Sequence, residues 1–195
     1  VLKGNAYEHG IEQVATAIKS ERFPYIAVDG YFEALTVRSF NRHQPVLVMG
    51  MIKPSNFAKL KLRGLAFVVQ DKATIRAMGD LSKNINIHLE LNTGMNRYGV
   101  KLSELDQYIQ LIQNFPKLQL EGVMTHLADP DGKNEATIHK AVTQFDQAVE
   151  KILASGLKPT LFHTAQSGVG LRAKSRYANA MRLGIGLYGI NPYPA

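Results

Sequence analysis

The sequence predicts a (β/α)8 barrel, and two observations lead to this fold class. Short apolar and β-branched runs recur roughly every 25 to 30 residues with helical patterns between them, which is typical of repeated βα units and a parallel sheet. The middle runs, such as Leu65–Val69, are apolar at successive positions, which indicates strands that are covered on both faces. An open doubly wound sheet is the second architecture that these patterns allow.

Eight segments qualify as strands, and amphipathic helices are expected to connect them. The strands are predicted at residues 1–2, 25–29, 45–49, 65–69, 86–91, 121–126, 161–164 and 181–188. One helix face is predicted from Ile11, Val14, Ala15 and Ile18. A longer helical stripe consists of Ile138, Ala141, Val142, Phe145, Val149 and Ile152. Ser103 is the predicted N-cap of a further helix, and Gly156 marks the predicted end of the long one.

Composition sets limits on the class of protein. The 195 residues, 45% of them hydrophobic, suffice for one buried core, so we predict a single domain over residues 1–195. The absence of cysteine excludes disulfides and thiolate metal sites and fits a reducing cytoplasm, and we expect no metal. No apolar run has membrane-spanning length. The formal charge of +7 is scattered and no nucleic-acid-binding motif accompanies it, which speaks against nucleic acid and leaves an anionic small molecule compatible.

Lys3 is the first residue with an evident chemical capability. It ends the first predicted strand, with Tyr7 and a predicted helix close behind it. An amine on a rigid strand end can be desolvated and act as a Schiff-base nucleophile, although a solvated surface lysine is the simpler alternative. Active sites of (β/α)8 barrels lie at the carboxyl ends of the strands. Other reactive side chains lie in or just after the predicted strands, namely Arg97, His126, Ser167 and Arg182.

Five short motifs, in order along the chain, resemble the N-terminal barrel of the pyridoxal-phosphate-dependent alanine racemases. They are Lys3-x-Asn5-Ala6-Tyr7-x-His9-Gly10, Thr93-Gly94-Met95-x-Arg97-x-Gly99, Thr125-His126, His163 with Ser167, and Arg182-Leu183-Gly184-Ile185 leading to Tyr188-Gly189. Each motif alone has limited specificity, whereas five at the appropriate strand ends are a specific combination. The resemblance spans the whole chain and implies pyridoxal 5′-phosphate as the cofactor.

Carried over position by position, the resemblance makes Lys3 the catalytic residue. Lys3 resembles the lysine that holds pyridoxal phosphate covalently and then serves as a base on one face of the substrate Cα. Tyr7, Ser167, Gly184 and Ile185 match positions that bind the cofactor phosphate through hydroxyl and backbone N–H groups. From the residues alone, Ser167 is also compatible with a helix N-cap and Gly184 with a tight strand bend.

The two arginines have different implied tasks. Arg182 matches the arginine that faces the pyridine nitrogen, where it can only donate, and the weaker electron sink that results suits racemisation. His126 resembles the histidine that packs beside the ring and is hydrogen-bonded into the Arg182 network, and His163 is a supporting residue. Arg97 resembles the arginine that reaches the substrate carboxylate and the phenolic oxygen of the cofactor. A structural arginine and a satisfied core histidine are the alternatives for Arg182 and His126.

Three positions depart from the family pattern. Glu90 stands where many relatives carry a carbamylated lysine, and we hypothesise that its carboxylate supplies the negative charge that orients Arg97. Glu8 replaces a usual glycine and Gln166 a usual asparagine. These two departures are compatible with an altered substrate choice and with a divergent family member.

The sequence does not begin with Met and stops soon after the last predicted strand. We therefore expect a fragment that lacks an N-terminal helix and the C-terminal β domain of the family. In the family that domain supplies a tyrosine base to the site of the neighbouring subunit. The resemblance thus implies a homodimer for the full-length protein and little activity for this chain alone.

The function implied by the resemblance is a pyridoxal-phosphate-dependent racemase, an isomerase that interconverts L-alanine and D-alanine for peptidoglycan. A serine or broad-spectrum racemase is one alternative, and a non-catalytic carrier or regulatory barrel for pyridoxal phosphate is another. A decarboxylase of the related barrel group normally places an acid against the pyridine nitrogen, and Arg182 argues against that activity.

Overall fold

Parallel strands form the centre of the computed structural model, which describes residues 1–128, 134–168 and 174–191. The strands are β1 (Ile26–Val28), β2 (Val46–Val48), β3 (Leu65–Val69), β4 (Ile85–Asn92), β5 (Val100–Lys101), β6 (Leu118–Thr125), β7 (Leu161–His163), β8 (Ala165–Gln166) and β9 (Met181–Arg182). The helices are α1 (Lys3–Tyr7), α2 (Ile11–Ala17), α3 (Tyr31–Phe40), α4 (Lys72–Gly79), α5 (Leu105–Gln113) and α6 (Glu135–Ala154). Shorter 3-10 helices span Pro54–Lys59, Leu102–Glu104 and Ile185–Tyr188.

The order of the strands in space follows their order in the chain. One parallel sheet contains β1, β2, β3, β4, β6 and β7 as successive neighbours, with β5 beside β4, and β8 pairs with β9. A doubly wound sheet reverses its strand order at a switch point. No reversal occurs among the described strands, so the sheet curls in one direction, as in a TIM-type barrel.

Residues 1–2 connect the last strand to the first. The Leu2 N–H donates to the carbonyl of Ala27 on β1, and the Val1 amino group donates to the carbonyl of Leu183 just after β9, both at 2.7 Å. The barrel wall therefore continues from β9 through residues 1–2 to β1, and these segments surround a common interior. This arrangement confirms the predicted TIM-type barrel as the fold class.

Two apolar layers stabilise the sheet. The barrel interior holds a small buried cluster of Ala27, Leu47, Ala66, Val68 and Met124. The outer strand faces pack against the helices in a larger cluster that includes Val28, Phe67, Ile75, Leu89 and Phe145. Each large apolar side chain that is fully buried in this way contributes about 1.5–3 kcal/mol. All five residues of β3 are buried, as its continuous apolar run predicts.

Several details of the sequence prediction are wrong. Residues 1–2 are not a regular strand, because besides the two hydrogen bonds described above the Leu2 carbonyl accepts from the Ala6 N–H of α1 at 3.0 Å. The last strand ends at Arg182, since Gly184 has φ −100° and ψ −105°, which is not an extended conformation, and a 3-10 helix follows it. Ser103 lies inside a 3-10 helix, and Glu104 precedes α5 in the capping position.

Other details agree with the structure. Gly156 directly follows the end of α6 and adopts the left-handed φ of 91° that such a helix end favours. Within the described residues, no helix combines the length and the apolar character needed to cross a membrane. Residues 192–195, at the end of the predicted domain, lie outside the described residues.

Candidate active site

The carboxyl ends of the strands surround an open cavity of about 680 Å³. Of the ten residues predicted for the site, nine line it, namely Lys3, Tyr7, Glu90, Arg97, His126, Ser167, Arg182, Gly184 and Ile185. The tenth, His163, is buried and contacts Arg182 from the barrel interior. The fold therefore gathers side chains from both ends of the sequence around one volume.

Lys3 is exposed at the wall of this cavity and opens an unusual turn. Residues 4–8 all have φ between 53° and 67°, which is a left-handed helical turn. For residues other than glycine this conformation costs about 1–2 kcal/mol per residue, although asparagine tolerates it better. The turn brings Lys3 and Tyr7, four residues apart, to the same cavity. Strained backbone of this kind is concentrated at functional sites, which supports a role for the turn in positioning both side chains.

Ser167 and Gly184 form a cradle for an anion beside Tyr7. The Ser167 Oγ accepts hydrogen bonds from the backbone N–H groups of Gly184 at 2.9 Å and Gly186 at 3.1 Å. A Cβ at Gly184 would lie 2.3 Å from the phenol oxygen of Tyr7, and the φ and ψ of Gly184 are outside the regions open to other residues. Converging backbone N–H groups are a common way to bind phosphate. Both N–H groups donate to the Ser167 hydroxyl oxygen in this structure, so a phosphate oxygen would bind here by replacing that oxygen as their acceptor.

Arg182 is built into the barrel wall. Its guanidinium donates from NH1 to the carbonyl of His163 at 2.6 Å and from NH2 to the carbonyl of Thr125 at 2.8 Å. A further contact of 3.0 Å joins NH1 to Nδ1 of His163. Burial lowers the pKa of Arg182 to about 10, and the charge of Glu90 acts in the opposite direction. The side chain stays a cation and a donor at neutral pH.

The arginine fixes the tautomers of two buried histidines. Because a guanidinium has no acceptor, Nδ1 of His163 must accept, which leaves the proton of that ring on Nε2. This Nε2 lies 2.8 Å from Nδ1 of His88 and donates to it. Burial and the charge of Arg182 lower the pKa of His88 to about 4 and the pKa of His163 well below its usual range. Both rings are neutral at physiological pH and add no charge next to Arg182.

Glu90 and Arg97 face the same cavity from different depths. Glu90 is only 6% exposed and accepts a 2.6 Å hydrogen bond from the side-chain amide of Gln70. Burial raises the pKa of Glu90, and the charges of Arg182 and then Arg97 oppose that shift. Arg97 is exposed, with its guanidinium carbon 5.7 Å from the Tyr98 ring centre. In the described residues no ion pair within 4.0 Å joins Glu90 to Arg97, so the hypothesis of an orienting carboxylate rests on a longer-range charge effect.

The loop that carries Arg97 is shaped by its own polar side chains. The Asn92 carboxamide oxygen accepts from the backbone N–H groups of Gly94 at 3.0 Å and Asn96 at 3.2 Å. The Thr93 and Thr125 hydroxyls are 2.8 Å apart, and Thr125 donates its own proton to the carbonyl of Leu91. Thr93 is therefore the donor to Thr125. The Thr125 carbonyl also accepts from Arg182. Thr125 therefore supports Arg182 directly and supports the loop of Arg97 through its hydrogen bond with Thr93.

His126 lies half-buried just after β6 and differs in one respect from its prediction. Within the described residues it makes no hydrogen bond to Arg182, because the guanidinium is directed at the β6 and β7 backbones and at His163 below the strand ends. Burial lowers the pKa of His126 to about 4, with further lowering by the charges of Arg182, Arg97 and Lys3. His126 thus presents a neutral ring to the cavity.

The two residues that depart from the family pattern also lie at the site. Glu8 is exposed with φ 67° and ends the left-handed turn, where the usual glycine would be unstrained. Gln166 lines the cavity and donates to the carbonyl of Leu127 at 3.2 Å.

Sequence reasoning missed His88, Thr125 and Gln70 as supporting residues. One signal was available, because Asn86, His88 and Glu90 alternate along β4 and alternating residues share one strand face. Each of the three makes a side-chain hydrogen bond across the barrel interior. Among the described residues, no group of three metal-ligating side chains is placed to hold a metal ion.

Together the fold and the site define a parallel α/β-barrel domain with an anion cradle, an exposed lysine and a buried arginine at its carboxyl end. A family model described as alanine racemase, N-terminal domain, matches residues 1–192. The chain belongs to this family.

Individual relatives agree with the family assignment. The chain is 35% identical over 199 residues to alanine racemase 1 of Bacillus subtilis, a match that covers 98% of this chain and 49% of the relative. A crystal structure of alanine racemase from Bacillus anthracis with bound L-Ala-P is 30% identical with a TM-score of 0.87, covering 98% and 51%. A histidine racemase from Leuconostoc mesenteroides is 26% identical with a TM-score of 0.84, covering 97% and 52%. The chain spans about half the length of the relatives it matches.

Proposed function

We propose that this chain is the pyridoxal-phosphate-binding barrel domain, residues 1–195, of an amino-acid racemase that interconverts L-alanine and D-alanine. The observation that carries the proposal is the convergence of Lys3, the Tyr7 and Ser167 hydroxyls, Gly184 and Arg182 on one cavity. Family membership supports the proposal, as does the cradle, whose converging N–H groups suit a phosphate.

The first group of residues holds the cofactor. Tyr7, Ser167 and the backbone N–H groups around Gly184 and Ile185 would bind the phosphate, and the missing Cβ of Gly184 lets the Tyr7 hydroxyl come close to that backbone. Arg182 would donate to the pyridine nitrogen without giving up its proton. His126 would pack against the ring as a neutral imidazole. When bound, pyridoxal phosphate supplies an electron sink that makes the Cα proton of an attached amino acid acidic.

The second group acts on the substrate. Lys3 would hold the cofactor covalently through Nζ and then take or return the Cα proton on one face. Arg97 would donate two hydrogen bonds to the substrate carboxylate, and its place on a loop at the cavity mouth lets it reach an incoming molecule. Glu90 would hold a negative charge between the two arginines. Racemisation also needs a base on the opposite face, which we assign to a tyrosine of the partner in a cytoplasmic homodimer.

Trapping of the covalent adduct tests the cofactor assignment. The chain is incubated with pyridoxal phosphate, reduced with borohydride and digested, and the modified lysine is located by mass spectrometry. We expect the label on Lys3 and its loss in Lys3→Ala, whereas Lys19→Ala, which removes an exposed lysine of another segment, should label normally. A label on a different lysine would overturn the assignment, and so would the absence of any label on a folded barrel.

The alternatives differ in substrate and in the need for turnover. The similarity to a histidine racemase favours testing a larger substrate beside alanine. Racemisation of L-alanine, L-serine and L-histidine should be followed by circular dichroism with a longer protein that extends this chain to the length of its relatives. We expect the highest kcat/KM for alanine. Comparable rates for all three would indicate a broad-spectrum racemase, and labelling of Lys3 without turnover of any amino acid would indicate a carrier or regulatory barrel.

A further inference from the structure

The left-handed turn after Lys3 is attached to the barrel through the carboxylate of Glu33. Glu33 Oε1 accepts a 2.7 Å hydrogen bond from the backbone N–H of Gly4, the residue next to Lys3. Glu33 Oε2 accepts from the backbone N–H groups of Asp29 at 2.9 Å and Gly30 at 3.1 Å. One side chain therefore joins the start of the turn to the end of β1 and the start of α3.

The backbone conformation of the turn explains why this attachment matters. Four of its five residues are not glycine and occupy a conformation that they rarely adopt, so the turn needs outside support to persist. A second support joins the turn to the start of α2, where the side-chain oxygen of Asn5 accepts from the Ile11 N–H at 2.9 Å. The N-terminal end of the turn, where Lys3 projects, is held by Glu33.

The location of Glu33 explains why it can serve as a rigid anchor. It occupies the third position of α3, after Gly30 at the N-cap, and its bond to the Gly30 N–H is the return half of a capping box. A carboxylate that accepts three backbone N–H groups at a helix start is held by charge-assisted bonds. No ion pair within 4.0 Å links Glu33 to Lys3 in the described residues, so its effect on the lysine passes through Gly4.

We propose that Glu33 is a positioning residue that fixes the left-handed turn and thereby aims the Lys3 amine at its reaction partner. The inference rests on the proposed function, because it gives Lys3 its chemical task. It adds a residue from outside the five recognised motifs. Glu33 affects the reaction rate of the Lys3 amine more than phosphate binding, because Tyr7 lies on the same turn as Lys3 whereas the hydrogen bonds between Ser167, Gly184 and Gly186 do not involve the turn.

Hydrogen–deuterium exchange tests the first half of the proposal without any cofactor. The variants are Glu33→Gln, which keeps the size but removes the charge, and Glu12→Gln, a control at an exposed position on the neighbouring α2. Amides of residues 4–10 should exchange about fivefold faster in Glu33→Gln and at the wild-type rate in Glu12→Gln. Equal exchange in all three chains would overturn the proposal.

The second half is tested by the rate at which Lys3 reacts. Its amine condenses with the aldehyde of pyridoxal phosphate with loss of one water, and borohydride then delivers hydride to the new carbon–nitrogen bond. We expect trapping at Lys3 to be roughly 10-fold slower in Glu33→Gln, because a small misplacement of a reacting group has an effect of that order. Affinity for pyridoxine 5′-phosphate, which keeps the phosphate but has no aldehyde, should fall by clearly less than the trapping rate, because the Ser167 and Gly184 contacts lie outside the turn. If the trapping rate and the affinity for pyridoxine 5′-phosphate fell by the same factor, Glu33 would have a general structural role, which would contradict the positioning role.

These measurements separate the two proposals. If the wild-type chain is not labelled at Lys3, the proposed function is wrong, while the exchange experiment still decides whether Glu33 holds the turn. If labelling occurs at the same rate in Glu33→Gln, the positioning role is wrong and the proposed function stands. Should Glu33→Gln fail to fold, Glu33→Asp serves instead, since it keeps the charge but is one methylene too short to bridge Gly4 and Gly30.

Discussion

Arg182 and Arg97 line the same cavity but are held in opposite ways. Arg182 is 8% exposed and donates to two backbone carbonyls and an imidazole nitrogen. Arg97 is exposed on a loop that its neighbours shape, and within the described residues its guanidinium lies beside the Tyr98 ring and makes no hydrogen bond. The structure thus separates a cation that belongs to the barrel from a cation that is left available to a ligand.

This difference follows from the tasks that we assign to the two residues. A group that tunes the cofactor must stay in one place, and rigid strands with satisfied hydrogen bonds provide that. A group that captures a substrate carboxylate must exchange partners in every cycle, which an exposed loop position allows. The comparison predicts that substitutions on the Arg182 side affect stability, whereas those on the Arg97 side affect ligand binding.

Replacement of Arg182 should have the largest effect on stability. Arg182→Met keeps most of the side-chain length but leaves the carbonyls of Thr125 and His163 and the Nδ1 atom of His163 without a donor. Each unpaired buried group costs about 1–3 kcal/mol, so we expect a loss of roughly 3 kcal/mol or more in urea unfolding. The matched control is Arg97→Met. Equal losses in the two variants would contradict the comparison.

Acidification should have the next largest effect, through the buried histidines. The folded state keeps His88, His126 and His163 neutral, whereas their pKa in the unfolded chain is about 6.5. Their contribution to stability is therefore complete above about pH 6.5 and is lost as pH falls toward 4. For His88 alone, with a pKa of about 4, the loss between pH 6.5 and pH 5 is about 1.5 kcal/mol.

Unfolding experiments at several pH values check that stability falls as the pH is lowered. Glu90 acts in the opposite direction, since burial raises its pKa and protonation then favours the folded state. The slope of stability against pH should be shallower in His88→Asn and unchanged in His139→Asn, which removes an exposed histidine of α6. An unchanged slope in His88→Asn would mean that the pKa of His88 does not differ between the folded and unfolded states.

Replacement of Glu90 by Gln should change stability by less than about 1 kcal/mol, since the loss of a buried charge offsets the loss of its attraction to Arg182. Cofactor retention should fall about 10-fold, the effect of removing a supporting group near a bound ligand. Fluorescence titration with pyridoxal phosphate measures this, with Glu12→Gln as the control. Unchanged affinity and turnover would show that Arg97 is oriented by another partner.

Replacement of Arg97 should have the smallest effect on stability and a large one on the substrate. Arg97→Met is expected to unfold within about 0.5 kcal/mol of the wild type, as exposed positions usually do. In the longer protein, KM for alanine should rise strongly, and Arg97→Lys should recover only part of the loss because lysine lacks the bidentate geometry. Steady-state kinetics decide the matter, and an unaffected KM would remove Arg97 from the substrate site.

The sequence predicts the fold where the signal is local. Apolar and β-branched runs locate β1, β2, β3, β4, β6 and β7 to within a few residues. The signal is strongest for β1, β2 and β3, which are apolar throughout because both of their faces are buried. β5 and β8 are two residues long and depend on neighbours that are distant in sequence. The break after Arg182 depends on the unusual ψ of Gly184, which no apolar pattern records.

The residues of the candidate site also differ in whether a local sequence signal marks them. Lys3, Arg97, Ser167 and Arg182 stand out because their side chains are reactive and lie near predicted strand ends. Glu33 escapes attention because it accepts from backbone groups of other elements, and those contacts exist only in the folded chain. Thr125 belongs to a recognised motif, but the role of its backbone carbonyl as an acceptor for Arg182 is visible only in the structure. The left-handed turn is equally hidden, since only one of its five residues is a glycine.

A crystal structure of the chain with bound pyridoxal phosphate tests the central claim most directly. The account predicts the phosphate within hydrogen-bond distance of the Tyr7 and Ser167 hydroxyls and the Gly184 N–H. It also predicts the pyridine nitrogen facing Arg182 and continuous density from the cofactor to Lys3 Nζ. A phosphate bound elsewhere, or a pyridine nitrogen turned away from Arg182, would contradict it.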